Sequence, residues 1–186
     1  MDKTLYTLNV YSENIAGILN QITTIFTRRQ LNIESLNVAA SSIKGIHKYT
    51  ITTCTDEDTI QKVTKQIEKR IDVVQAHYFT DDEIFFREIA LYKIPTQELL
   101  DSNRVEYIVS RHNARIIEIN PTYMVIQKSG TTEETQELYD DLKEIGILQF
   151  VRSGRIAITK SCVEKLSEYL TEREQKHIRS KKNCEE

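Results

Sequence analysis

Residues 12–39 read SENIAGILNQITTIFTRRQLNIESLNVA, and the hydrophobic period changes within them. Ile18, Leu19, Ile22, Ile25 and Phe26 recur at i, i+1, i+4, i+7 and i+8, which is one apolar stripe of an α-helix over about Ala16–Arg29. Beyond it Leu36 and Val38 share one strand face, while Ile33, Ser35 and Asn37 take the other. Ser12 and Asn14 stand ahead of the helix as cap residues, and Gly17 falls in its expected first turn. A strand feeding a helix N-terminus leaves backbone N–H groups unpaired, and the helix end adds partial positive charge. Such a place suits a carboxylate. Gly17 lets a ligand come close to the backbone, and Asn14 and Asn32 can each donate and accept, as a zwitterion requires.

Working outward, residues 4–10 alternate as a first strand. His47–Cys54 form another strand rich in Thr, Tyr and Ile, and Thr55-Asp56-Glu57-Asp58 starts a second helix. Ile60, Val63, Ile67 and Ile71 supply that helix's stripe, and Val73–Phe79 close a βαββαβ unit. After the short acidic join Thr80-Asp81-Asp82-Glu83 the order begins again. A strand over Phe85–Ile94 leads to a helix over Thr96–His112, built on Leu99, Leu100, Ile108 and Val109. Strands follow at Ala114–Asn120 and Tyr123–Ser129, then a helix at Thr131–Ile145 and a strand at Ile147–Val151 that Arg155–Thr159 extends or follows. The sequence therefore predicts an α+β protein of two ferredoxin-like βαββαβ domains (residues 1–80 and 84–160), alike in element order but not visibly in sequence. Residues 161–186 are expected to be helical at first, on Val163, Leu166 and Leu170, and to end in a charged tail.

The pattern Asn14, Gly17, Leu19, then Asn32-Ile33-Glu34-Ser35-Leu36, resembles the regulatory (small) subunit of acetolactate synthase, also called acetohydroxyacid synthase. A weaker match runs through Arg87-Glu88-Ile89, Pro121-Thr122-Tyr123 and Arg152-Ser153-Gly154. The resemblance implies that the first domain is an ACT domain, a module that binds amino acids. It further implies a non-catalytic subunit that stimulates the catalytic large subunit and makes it sensitive to a branched-chain amino acid, typically valine. On the same resemblance the effector touches Asn14, Ile15, Ala16, Gly17 and Ile18 of one copy, with Asn32 and Ile33 of a homodimer mate. Thiamine diphosphate, a divalent metal and FAD are expected in the large partner and no cofactor in this chain. One departure stands out: family members often carry Gly in the turn before the Asn, where this chain has Gln30-Leu31.

The residues taken alone allow plainer roles. Asn14 reads first as an ordinary cap, Gly17 equally as a site of close helix packing, and Asn32 equally as a turn residue. Arg28-Arg29 answer the helix dipole, and Arg152-Ser153-Gly154-Arg155 read as a turn ahead of a phosphate site, since no full phosphate loop follows. His47, His77, His112 and His177 lack metal-ligand spacing.

Over 186 residues the net charge is −3, so no overall basic character favours nucleic acid. No apolar run approaches the roughly 20 residues that cross a bilayer, and MDKTLYTLNV enters a strand pattern at once, unlike a secretory signal. Cys54, Cys162 and Cys184 form neither a disulfide framework nor a zinc box, which makes the cytoplasm the simplest setting. No nucleophile elbow, phosphate loop or dinucleotide glycine pattern occurs. The alternatives are a free-standing ACT-type amino-acid sensor acting on another enzyme or a transcription regulator, and a small enzyme on the same scaffold. In the usual ferredoxin-like strand order the second strand is an edge with no Pro and little charge, open to pairing with another copy.

Overall fold

The computed structural model describes residues 3–97 and 104–161. The first half runs β1 (Thr4–Glu13), α1 (Ile18–Arg28), β2 (Ser35–Ala40), β3 (Ile46–Thr55), α2 (Glu57–Glu68) and β4 (Val73–Phe79). Its strands pair antiparallel in the order β2-β3-β1-β4, which leaves β2 on an edge. Leu8 and Val10 of β1 and Tyr49 and Ile51 of β3 pack under Ile18, Ile22, Ile25 and Phe26 of α1 and Val63 and Ile67 of α2. Two members of the expected stripes are not in this core. Leu19 is 41% exposed because it sits one residue off the buried row, and Ile71, beyond the end of α2, is 95% exposed. The helix starts at Ile18 rather than Ala16, and β2 at Ser35 rather than Asn32.

Asp56 caps α2, accepting from the Thr59 backbone N–H at 2.9 Å and the Thr59 hydroxyl at 2.8 Å. Those bonds from Thr59 hold its carboxyl below the ordinary value.

The second half runs β5 (Ile84–Pro95), α3 (Arg104–Arg111), β6 (Arg115–Ile119), β7 (Tyr123–Gly130), α4 (Thr132–Lys143), β8 (Gln149–Arg152) and β9 (Ile156–Thr159). The strand order is β6-β7-β5-β8, while β9 pairs with the first part of β5. Arg155–Thr159 thus yield a separate strand, returned by the Ser153-Gly154 turn. Ala90, Tyr92, Ile94, Met124 and Ile126 form a second core with Val105, Ile108, Val109, Leu138 and Leu142. A capping box joins Thr131 and Glu134 at the start of α4. Leu99 and Leu100 of the expected helix, and Val163, Leu166 and Leu170 of the expected tail, lie outside the described residues.

Both units leave a helix by the same backbone device. After α1, Gln30 (φ 55) is left-handed; its N–H donates to Thr27 O at 3.0 Å and that of Leu31 to Phe26 O at 3.0 Å. After α3, Asn113 (φ 49) repeats this, with its N–H on Ser110 O at 3.1 Å and that of Ala114 on Val109 O at 2.9 Å. These are Schellman exits, in which glycine is the usual left-handed residue. Gln30 therefore makes the turn that the family's glycine makes, at the steric cost of a Cβ.

The face of the first sheet turned away from its helices is polar and buried: Thr7, Asn9, Thr50 and Thr52 are all covered. The second unit does the covering. Lys48 Nζ donates to Ala157 O at 2.5 Å, and a Cβ built on Gly154 would lie 3.4 Å from Ser35 Cβ.

Candidate functional site

The chain between β1 and α1 is strapped down at its entrance and open at its tip. Glu13 N–H donates to Asp72 O at 3.0 Å, and Asn14 N–H to Gly45 O at 2.9 Å, tying the segment to two neighbouring turns. Gly17 is the N-cap of α1 in a left-handed conformation, φ 91. A Cβ built there meets nothing within 4 Å, so the space above the turn is free. Asn14, Ile15, Ala16 and Gly17 are all exposed. The expected caps are not used: no side chain caps α1, and Ser12 is buried with its hydroxyl on Glu13 O. No acidic residue occupies the first turn either. Among the described residues the N–H groups of Ala16, Gly17, Leu19 and Asn20 have no partner. This end of α1 thus presents uncompensated donors and positive potential to solvent. Ile18 contributes only main chain, since its side chain is in the core.

Asn32 and Ile33 lie in the connection that leads into β2. Asn32 is exposed; its Nδ2 donates to Glu34 Oε1 at 3.2 Å, and its carbonyl accepts from Thr53 Oγ1 at 2.7 Å. Ile33 is half-buried against the first core. Asn14–Gly17 precede the 11-residue helix α1 and Asn32 follows it. At about 1.5 Å per residue the helix separates them by roughly 16 Å. One chain does not bring these two groups onto one small ligand. Gly45, which holds Asn14 in place, was not singled out from sequence; only its position in a loop marked it.

The Arg152-Ser153-Gly154-Arg155 segment is a turn whose cations are engaged. Arg152 pairs with Glu88 at 3.5 Å and donates to Gln136 Oε1 at 2.5 Å, while Arg155 pairs with Asp81 at 2.7 Å. Ser153 closes the turn on β5, its N–H donating to Ile89 O at 2.9 Å and its hydroxyl accepting from Ile89 N–H at 3.0 Å. It borders a cleft of about 700 Å³ between the units. Among the described residues no group of three or more His, Cys, Asp or Glu could hold a metal ion.

The comparisons divide along the same line as the sheets. Residues 8–75 match the model of the AHAS small subunit-like ACT domain, and residues 87–161 that of the small subunit of acetolactate synthase. The acetolactate synthase small subunit of Bacillus subtilis is 32% identical over 168 residues, covering 89% of this chain and 95% of that protein. The chain belongs to the acetolactate synthase small-subunit family. The small subunit of Buchnera aphidicola is 35% identical over 156 residues, covering 83% of this chain and 97% of its own. The crystal structure of the Thermotoga maritima small subunit superposes with a TM-score of 0.77 at 23% identity, over 86% of this chain and 99% of that one. The fold is therefore that of the acetolactate synthase small subunits, with the ACT unit first, and the family is the regulatory one of branched-chain amino-acid biosynthesis. The sequence expectation of fold and family holds.

Proposed function

We propose that this chain is the non-catalytic subunit that binds an acetolactate synthase catalytic large subunit in the cytoplasm, stimulates it, and makes it sensitive to a branched-chain amino acid such as valine. The observation that carries the effector site is the uncapped N-terminus of α1, set behind the open turn Asn14–Gly17. The effector's carboxylate accepts from the free N–H groups of this turn, with Ile15 and Ala16 beside it. Because Asn32 and Ile33 are at the far end of α1, they belong to the site of a second copy, paired antiparallel along β2. The Asn32 amide then reaches the ligand's main-chain ammonium or carboxylate across the dimer. A ligand bridging two copies favours the pairing in which both halves of its site meet, and shifts the assembly by its differential affinity. Thiamine diphosphate, metal and FAD belong to the large partner, which performs the chemistry.

Co-expression with an acetolactate synthase large subunit tests this. The complex should co-purify, turn over faster than the large subunit alone, and slow when valine, leucine or isoleucine is added. No association, or turnover by this chain alone, would overturn the proposal.

A further inference from the structure

The edge strand alone makes a small interface. β2 has 6 residues. At about 3.4 Å per residue it is roughly 20 Å long, and with a depth of about 10 Å it buries on the order of 200 Å² per copy. A stable dimer buries about 800 Å² per copy. More surface must meet.

A second apolar surface starts where β2 ends its sheet. Asn37, Ala39 and Ala40 of β2 form one wall of a groove of about 460 Å³, and Phe85, Ile156 and Ile158 line the other. Register places Ile158 beside Phe85 and Ile156 beside Arg87, so these side chains share a face of the β5–β9 ribbon. Phe85, Ile156 and Ile158 are 50%, 52% and 63% exposed. The same face of β5 continues through Ile89 and Leu91, and Val151 stands beside Leu91. Contiguous apolar surface of this extent marks an interaction site on a soluble chain.

Antiparallel pairing of β2 with a second β2 sets a two-fold axis through that strand. The groove is on the helix-free side of the strand, directly below that axis. Each copy's ribbon is thereby carried beneath the other's edge. We propose that the groove is occupied by a second copy of this chain: the Phe85–Ile156–Ile158 ridge of the mate packs into it, so that the dimer is closed in two layers, strand edges above and β5–β9 ridges below. The proposal rests on the β2 pairing in the function proposed above.

Sedimentation of the full chain tests it, with circular dichroism to verify folding. Ile158→Glu and Phe85→Lys alter exposed positions and should leave the fold intact, yet each should raise the dimer dissociation constant at least tenfold. Ile71→Glu, outside the groove, should leave it unchanged. Asn37→Glu addresses the strand edge separately. A wild-type chain that is monomeric overturns both layers. A dimer broken by Asn37→Glu but indifferent to Ile158→Glu and Phe85→Lys keeps the edge pairing and overturns the ridge. If the ridge variants stay dimeric but no longer bind the catalytic subunit, the occupant is that subunit and the proposal fails.

Discussion

Ser35 and Gly154 belong to different sheets, and the second leaves the first no room for a larger neighbour: a Cβ on Gly154 would sit 3.4 Å from Ser35 Cβ and 3.8 Å from Leu36 O. Ser35 is the first residue of β2, just beyond Asn32 and Ile33, so the second unit bears directly on the strand next to the candidate site. Gly154 also has φ +75. Gly154→Val should cost about 1–2 kcal/mol in backbone strain alone, which lowers the melting temperature by roughly 2–8 °C. It should also weaken effector binding through displaced Ser35, whereas Gly154→Ala should do both less. Unchanged melting and calorimetry for the valine variant would show that the contact carries nothing.

Gly17→Asp should reduce feedback inhibition while stimulation of the partner persists. The new carboxylate enters free space at the turn and competes with that of the effector for the same N–H groups. Gly17→Ala separates charge from strain, because it shares the unfavourable φ 91 without the carboxylate. Stimulation and inhibition lost together in both variants would trace the effect to folding, and circular dichroism reads that directly.

Asn32→Ala removes one main-chain contact of the effector. Leaving part of a bound zwitterion unpaired costs on the order of 1–3 kcal/mol, or roughly five- to hundredfold in affinity. Valine, leucine and isoleucine should weaken alike. Titration calorimetry with all three settles it: a loss confined to one makes Asn32 a side-chain selector, and no loss puts it outside the site.

Gln30→Gly should stabilise the chain. Gln30 sits at φ 55 in the exit of α1, where glycine has no Cβ penalty. Relief of about 1–2 kcal/mol, offset in part by the greater freedom of the unfolded glycine chain, leaves a net gain of a few °C in thermal melts. A fall in melting temperature would mean that the glutamine side chain contributes more than its backbone costs.

The Asp56 cap makes stability depend on acid pH. Its carboxyl is depressed in the fold by bonds from Thr59. Its contribution is therefore fully present above the ordinary value of 3.8 and is lost as pH falls through the depressed one. In melts from pH 7 to pH 3, wild type should exceed Asp56→Ala by a gap that narrows only at the acid end. A gap constant with pH would assign the cap to Thr59 geometry rather than to charge.

Much of this architecture is legible from residue spacing. Tyr6, Leu8 and Val10 alternate with Thr7 and Asn9, and the apolar set does enter the core. What alternation does not convey is that Thr7 and Asn9 are buried as well, because their cover comes from residues more than a hundred positions away, such as Ala157 above Lys48. Period marks the helix of Ile18 and Ile22, but a stripe counted on through Leu19 and Ile71 overshoots, since neither position faces the sheet. The motif Asn14–Gly17 identifies the turn, yet the uncapped helix end emerges only once Ser12 is seen to turn inward. The β9 strand was ambiguous in sequence because four residues pair with a strand already claimed by β7 and β8.

The polar seam beneath the first sheet sets how this chain breathes. Its two apolar cores share no residue. Between them lie hydroxyls and an amide, with Asn9 bonded to Thr50 at 3.3 Å and Ser35 to Thr52 at 2.7 Å within one sheet. Those bonds survive when the units part, and water replaces the few that cross, such as Lys48 to Ala157, at a net cost of about 0.5–1.5 kcal/mol each. Parting the units is accordingly far cheaper than melting either, and hydrogen exchange will register it as a sub-global opening. In that opening the floor of the first sheet becomes wet while both cores remain dry, and a signal can pass along β2 without either unit losing its fold.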